Sequence, residues 1–265
     1  MLRCPICAQA LEQKERAYVC EKGHSFDMAR QGYVNLLPVQ NKHSAQPGDT
    51  KEQVSARRAF LEGDFYLPIV EALCDLAKKH GCTGPILDAG CGEGWYSSRL
   101  AQALAAELIG LDISKEAVRC AAGRYKNALW LCATASHLPI KDASAGIVTS
   151  LFALTMPEEF HRVLRPDGAF IQVLAGEEHL LGLKSIIYPE LTRKPKQTTP
   201  EVSGFVLIRS EKVEFTFTVE EEQVQNLFSM TPHVYRISKA GADRLAATEK
   251  LTDKASCVIN LYRPL

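Results

Sequence analysis

The sequence predicts an α/β protein: a doubly wound, Rossmann-like sheet of parallel strands, preceded by a small metal-stapled module. Three observations predict it. From residue 85 onward, short apolar runs alternate with helical patterns, the mark of parallel β-α-β units. Cys4, Cys7, Cys20 and His24 crowd into the N-terminal segment. The glycine-rich stretch Asp88–Gly94 follows the first of these strands and precedes a helix, where open parallel sheets receive ligands.

The elements follow in order. Residues 1–37 are turn-rich and carry the cysteine cluster. Residues 38–64 hold a polar arm with Pro38 and Pro47, then a helix over 51–62 that stops at Gly63. The main domain takes 65–265. Its first helix covers 66–80 and stops at Gly81. Ile86-Leu87-Asp88 reads as a buried strand, and 95–106 as a helix with Leu100 and Leu104 on one face. Glu107–Asp112 is a strand, and Ser114 caps a helix over 115–124. Strands at 129–133 and 146–151, a helix at 157–164, a turn at Arg165-Pro166-Asp167-Gly168 and a strand at 170–174 complete the alternation. Residues 176–204 interrupt it with an amphipathic helix, His179–Tyr188, and a basic loop holding Arg193, Lys194 and Lys196. We read this as a substrate-side insertion. Two further strands are expected, within 205–219 and at 256–262, with helices at 220–229 and 239–247 between them.

Composition fits this plan. A chain of 265 residues suffices for one large domain and a small one, and 46% hydrophobic residues supply a core. Lys+Arg number 31 and Asp+Glu 31, so bulk charge does not mark a nucleic-acid binder, and any such contact rests on a local patch. No apolar run reaches a bilayer's thickness, and Met1-Leu2-Arg3-Cys4 opens no signal core. A cytoplasmic protein with no membrane partner is expected. Nine cysteines, an odd number without a secretion signal, argue against a disulfide framework. Cys74, Cys82, Cys91, Cys120, Cys132 and Cys257 then read as reduced thiols, several of them small core residues.

Cys4-Pro5-Ile6-Cys7 lets two thiolates meet one ion from a tight turn, and Cys20 with His24 supplies two more ligands across a hairpin. The set suits tetrahedral Cys3His zinc. Four protein ligands leave no open position, so the zinc is structural, and its binding contributes folding energy to a module too small for its own core. A disulfide or idle thiols are the alternative. His43 reads as a polar residue of the arm.

The glycine turn has two readings, because dinucleotide enzymes carry a similar one. Its spacing is G-x-G-x-G, and Asp88 stands two residues before Gly90. A carboxylate there suits an ammonium group and repels a pyrophosphate. Gly90, Gly92 and Gly94 let backbone approach a ligand closely. The helix N-terminus favours a carboxylate. Asp112, at the next strand end, can accept both hydroxyls of a ribose, and Ala133–Pro139 lies where an adenine would sit. The ligand with all these groups is S-adenosylmethionine. Cys91 within the turn reads as a packing residue.

With these residues in view, the chain resembles the bacterial 23S ribosomal RNA guanine-N1 methyltransferase family over nearly its whole length. The likeness rests on Cys4–His24, on Gly23–Leu37, on Pro47-Gly48-Asp49, on Ala56–Leu61, on Asp88–Gly94 and on Met230-Thr231-Pro232. Phe205 and the Met230 tract resemble the Gram-negative branch. The resemblance implies a class I methyltransferase domain with an N-terminal zinc ribbon, with zinc at Cys4, Cys7, Cys20 and His24. It implies cofactor contacts from Tyr66, Gly92, Glu93 and His179, beside the Asp88, Gly90 and Asp112 that spacing suggests. It also implies a homodimer that clamps an RNA hairpin, with the zinc module helping to grip it. One tract departs from the family: Phe152-Ala153-Leu154-Thr155 lacks the proline of its aromatic-Ala-Pro pattern, at the edge that borders the target base.

The expected reaction moves a sulfonium methyl to N1 of a guanine in a 23S rRNA hairpin loop. A methyltransferase for a small molecule or another RNA, and a cofactor-binding RNA assembly factor without activity, are the alternatives. Phe152 and Tyr66 are candidates to stack a splayed base. Glu158 and Glu159 are conceivable proton acceptors, although the start of a solvated helix explains them equally simply. Lys14, Arg16, Lys22, Arg30, Lys42, Arg57, Arg58, Arg193, Lys194 and Lys196 are candidate RNA contacts. Residues 1–62 hold nine basic against seven acidic side chains, and that balance describes a mixed surface as readily.

Overall fold

The computed structural model describes residues 1–38, 47–191 and 195–265. Lys42 and His43 of the arm, and Arg193 and Lys194 of the basic loop, lie outside them. Near the N-terminus, β1 (Leu11–Lys14), β2 (Ala17–Cys20) and β3 (Ser25–Asp27) form an antiparallel meander. Such a sheet buries little by itself, and it is docked onto the main body. Leu2 bridges to Ile140, and the Arg3 N–H donates to the Pro139 carbonyl at 2.9 Å. The next strand, β4 (Tyr33–Asn35), leaves the meander and pairs in parallel with β7 (Leu129–Cys132) of the large sheet. The cysteine-bearing segment therefore ends inside the main domain's sheet.

That sheet has eight strands in the order β10-β11-β9-β8-β5-β6-β7-β4. Its centre is β5 (Ile86–Ala89), flanked by β6 (Leu108–Asp112) and β8 (Ala145–Leu151), with β9 (Leu164–Ala175) beyond β8. These pairs are parallel. The chain winds outward from β5 through β6 to β7, then crosses back to β8. The order reverses at β5, and a crevice opens at the strand ends there. Successive residues such as Ile86 and Leu87 point to opposite faces, and the core divides into two clusters accordingly.

Helices cover both faces. Thr50 and Gln53 form a reciprocal capping box at the start of α1 (Lys51–Glu62). Pro68 opens α2 (Leu67–Lys79), and Ser114 caps α4 (Lys115–Arg124) as expected. Gly94, in the left-handed conformation, starts α3 (Trp95–Leu104). Further on come α5 (Pro157–Val163), α6 (Leu181–Ile187), α7 (Glu222–Ser229) and α8 (Lys239–Ala246). No helix among the described residues is long and apolar enough to cross a membrane.

Three details depart from the sequence reading. The last two strands, β10 (Phe205–Glu220) and β11 (Lys250–Pro264), are much longer than expected and pair antiparallel, so one flank of the sheet is not parallel. The helix expected from His179 starts only at Leu181, because Leu180 takes φ +56° and breaks the helical path. His179 is left in a turn. Arg165–Gly168 is not a free turn but a bulge within β9: Ala145 pairs with Leu164 and Ile147 already with Ala169.

Candidate active site and zinc centre

At the crevice the strand ends surround a cavity of about 1170 Å³. Gly90, Gly92, Glu93, Asp112, Tyr66 and His179 all line it, so six of the seven expected cofactor residues come together. Gly90 takes φ +93°, and a Cβ there would lie 2.6 Å from the Ala153 Cβ, so the turn passes close over the β8 loop. Asp112 accepts the Gly92 N–H at 2.9 Å and the Ser114 N–H at 2.8 Å, which locks its carboxylate beside the turn. Tyr66 packs edge-on against Phe60, Phe215 and Phe217.

Asp88 stands apart from this set. It is buried beneath the turn, and it accepts the Thr149 hydroxyl at 2.7 Å. Burial pushes its carboxyl up to about 6, against hydrogen bonds from Thr149 and Ser97 that lower it. Its observed contacts brace the turn from below. The Ala133–Pro139 segment likewise does not line the cavity. Its 3-10 turn, Ala135–His137, leads to Leu138, whose N–H donates to Glu159 at 2.6 Å. Glu159 also pairs with Arg162 at 2.7 Å and is half-buried, so its carboxylate is held within the structure, whereas Glu158 is exposed as the solvated-helix account expects. Burial, then the Asp112 and Asp88 carboxylates, pushes the Cys91 thiol well up, as a packing residue requires.

His179 is the most informative side chain here. The Ser256 N–H donates to its Nδ1 at 3.3 Å, which leaves the ring proton on Nε2. Burial, aided by Lys184 and Lys196, depresses it to about 3. His179 is thus a neutral imidazole and a hydrogen-bond donor. Its ring stacks on Phe152, centroids 6.0 Å apart. Phe152 itself has φ +56° and lies on the cavity wall. Leu154, where the family pattern breaks, is 75% exposed, and the Thr155 hydroxyl accepts from Gln172 at 2.7 Å. The departure therefore leaves the aromatic wall in place.

Two buried polar atoms at the cavity, the Tyr66 hydroxyl and Glu93 Oε2, have no hydrogen-bond partner among the described residues. On a cavity wall such atoms are available to a ligand. With the glycine cradle, the Asp112 carboxylate and a neutral donor at His179, they fit a ligand bearing hydroxyl, ammonium and carboxylate groups, as S-adenosylmethionine does.

Glu93 carries a pH prediction. Burial raises its carboxyl from 4.5 to about 7, although Arg124 and Arg57 oppose this. As pH rises between these values, the unfolded chain has already lost the proton and the folded chain still holds it, so folding stability falls and then levels off. The full loss amounts to about 3 kcal/mol at most. Glu93→Gln is expected to remove this slope and to raise ligand-free stability above neutral pH by up to that amount. Asp88 keeps its own slope of the same sign. Urea midpoints measured across pH check this, and identical slopes in both proteins would refute it.

Sequence reasoning missed several cavity residues. Arg57, expected on the RNA surface, points inward, pairing with Asp49 at 2.7 Å and donating to the Met230 carbonyl at 3.2 Å. Tyr96, Lys184, Tyr188 and His233 gave no sequence signal, because only the tertiary fold brings them together. Of the other expected RNA contacts, Lys14, Arg16, Lys22 and Arg30 are exposed on the meander and its edge, and Arg58 pairs with Glu62.

In the N-terminal module the ligand atoms of Cys4, Cys7, Cys20 and His24 all lie within 4.8 Å of one another. Cys7 and Cys20 Sγ atoms are 3.6 Å apart, and His24 Nδ1 lies 3.6 Å from Cys4 Sγ and 3.3 Å from Cys20 Sγ. These are the edge lengths of a tetrahedron around zinc at ordinary Zn–S and Zn–N distances.

Residues 2–45 match the family model described as "RlmA, N-terminal", a zinc ribbon, and residues 87–172 match a methyltransferase domain. The 23S rRNA (guanine(748)-N(1))-methyltransferase of Streptomyces fradiae is 34% identical over 242 residues, covering 87% of this chain and 84% of the relative. This chain belongs to the 23S rRNA guanine-N1 methyltransferase family. A Micromonospora griseorubida protein described as a 23S rRNA (guanine-N(1)-)-methyltransferase is 39% identical over 69% of this chain and 68% of its own. Among solved structures, one described as a type II methyltransferase from Anaeromyxobacter dehalogenans superimposes with a TM-score of 0.51 at 18% identity. It covers 72% of this chain and 95% of its own, a likeness of fold alone. The family member described here is an S-adenosylmethionine-dependent methyltransferase with a structural zinc site.

Proposed function

We propose that this chain transfers the methyl group of S-adenosylmethionine to N1 of a guanine in a 23S rRNA hairpin loop, acting as a cytoplasmic homodimer. In this reading the zinc module helps to hold the RNA. The observation that carries the reading is one continuous cavity, which joins the glycine turn to a wall formed by Phe152, Tyr188, Lys184, Lys196 and Arg236. Aromatic faces and cations are what an unstacked base on a phosphate chain requires. The named relatives favour rRNA over a small molecule or a role without turnover.

When bound, S-adenosylmethionine supplies an electrophilic methyl group on a sulfonium. The chain's residues do the rest. Asp112 accepts ribose hydroxyls, and the glycine turn with Tyr66, Glu93 and the His179 donor hold the amino-acid end. Asp88 braces the turn from beneath. Phe152 offers its face to the base, and orientation of the base supplies most of the rate.

Purified protein, labelled cofactor and unmodified 23S rRNA should yield 1-methylguanine. Failure on both naked RNA and ribosomal particles would end this reading. Light scattering that gives the mass of one chain, with and without RNA, would remove the homodimer.

A further inference from the structure

Guanine N1 carries a proton at neutral pH, and its lone pair is not available until that proton leaves. The chain must supply an acceptor. Most acids and bases on the cavity wall are already committed. Asp112 holds two backbone N–H groups, Asp49 holds Arg57, and Glu178 pairs with Lys254. Glu177 accepts the Lys196 N–H at 3.3 Å. Nε2 of His179 is a donor, since Nδ1 accepts from Ser256.

One wall of the cavity is not explained by the cofactor. Among the described residues it comprises Leu181 and Lys184 of α6, Tyr188 and Lys196 after it, and Pro232 and His233 of the 3-10 turn Pro232–Tyr235. There the Tyr188 hydroxyl and His233 Nδ1 lie 2.8 Å apart, with the two rings edge-on at 5.5 Å. Lys184, Lys196 and Arg236 line the same cavity as the imidazole, and their charges act on it. Lys184 donates to the His179 carbonyl and Lys196 to the Gly176 carbonyl, so both ammonium groups are held at this wall by neutral acceptors.

We propose that the Tyr188–His233 pair receives the N1 proton of the target guanine, a role that rests on the functional reading above. As N1 bonds to the methyl carbon, the N1–H bond breaks and its electron pair stays on the base. With His233 protonated at Nε2, the N1 proton passes to the phenol oxygen while the phenol proton passes to Nδ1. In the other tautomer Nδ1–H donates to the phenol, and Nε2 takes the proton directly. Either route ends with a neutral phenol, an imidazolium and neutral 1-methylguanine, and the positive charge lost at the sulfonium reappears on His233.

Lys184, Lys196 and Arg236 have two effects. Burial, then Lys184, Arg236 and Lys196, holds His233 below the ordinary imidazole range, so it is unprotonated and ready at neutral pH. The same cations stabilise the negative charge that builds on guanine O6 as the proton departs.

The test uses the full chain and a 23S rRNA substrate, with single-turnover rates followed from acid to alkaline pH. In the wild type the rate should rise with pH and level off at a break below about 6.5. His233→Gln should slow the reaction about 100-fold and abolish that break. Tyr188→Phe should slow it about 10-fold and shift the break. Cofactor affinity by calorimetry and RNA affinity by filter binding should stay within about two-fold, at the scale of exposed-site changes. Glu190, exposed on the cavity wall, is a rival acceptor apart from the Glu93 assigned to the cofactor, and Glu190→Gln should keep the break. A break that survives in His233→Gln, a rate loss matched by weaker RNA binding, or a break lost in Glu190→Gln overturns the proposal alone. A wild type inactive on 23S rRNA overturns the functional reading and this proposal with it.

Discussion

Removal of zinc should unfold the meander and leave the cofactor site standing. The three strands β1–β3 are short, and the side chains buried with them, Leu2, Cys4, Leu11 and Cys20, include two of the ligands. Structural zinc contributes about 10–16 kcal/mol of apparent binding energy in small zinc peptides, far more than so few apolar contacts provide. Without the ion, three thiols and an imidazole crowd together with nothing to hold them. Docking through Leu2 and Arg3 ties the segment to residues 139–141, but it does not fix the hairpin that carries Cys20 and His24. The Gly90–Glu93 turn and Asp112 depend on β5 and β6, which sit at the other side of β7 and β4 from the meander's exit. Hydrogen exchange after chelation, with metal content assayed, should show amides of residues 11–27 losing protection and those of 86–112 keeping it. S-adenosylmethionine should still bind. Continued protection of the meander in metal-free protein would contradict this, and Cys20→Ala should reproduce the effect without a chelator.

Much of this organisation was legible in the sequence because the determining signals are local. A C-x2-C turn with Cys20 and His24 identifies four ligands by spacing alone, and the fold brings their atoms together. The G-x-G-x-G turn and Asp112 are legible for the same reason: each sits at the end of an apolar strand that pattern reveals. What stayed hidden depends on long-range register. Nothing local shows that Tyr33–Asn35 would add a parallel edge to β7, or that 205–220 and 250–264 would pair as one long antiparallel ribbon. The strand-end position of Asp88 suggests a partner for an ammonium group, and only the fold shows that the carboxylate also accepts the hydroxyl of Thr149, its register partner in β8. The Tyr188–His233 contact joins residues 45 positions apart and has no sequence signature at all.

Gly110→Ala should be among the most damaging single changes in the chain, although it adds one methyl group in a strand. A Cβ at Gly110 would lie 2.2 Å from Trp130 Cζ3 and 2.4 Å from Cε3, and 3.1 Å from Cys91 Sγ. The indole cannot move aside. It is 1% exposed, its Nε1–H donates to the Tyr125 carbonyl at 2.8 Å, and on its far edge it meets Gly94, where a Cβ would lie 2.5 Å from Cη2. Trp130 thus fills the space that two glycines leave, one in β6 and one at the start of α3, and it packs against the end of the glycine turn. The glycine in the strand is explained by this close approach. Overpacking of a core costs typically 1–3 kcal/mol, and this geometry belongs at about 3 kcal/mol or beyond, because neither partner has room. The added methyl also presses on Cys91 Sγ within the glycine turn, at 3.1 Å, so cofactor affinity should fall at least about ten-fold as well, each 1.4 kcal/mol of turn distortion being worth that factor. Denaturant melts and calorimetry with S-adenosylmethionine measure the two losses. Trp130→Leu alone should destabilise by leaving a cavity, whereas combined with Gly110→Ala it should recover part of both losses. Strict additivity of the two changes would show that the methyl and the indole do not compete for the same space.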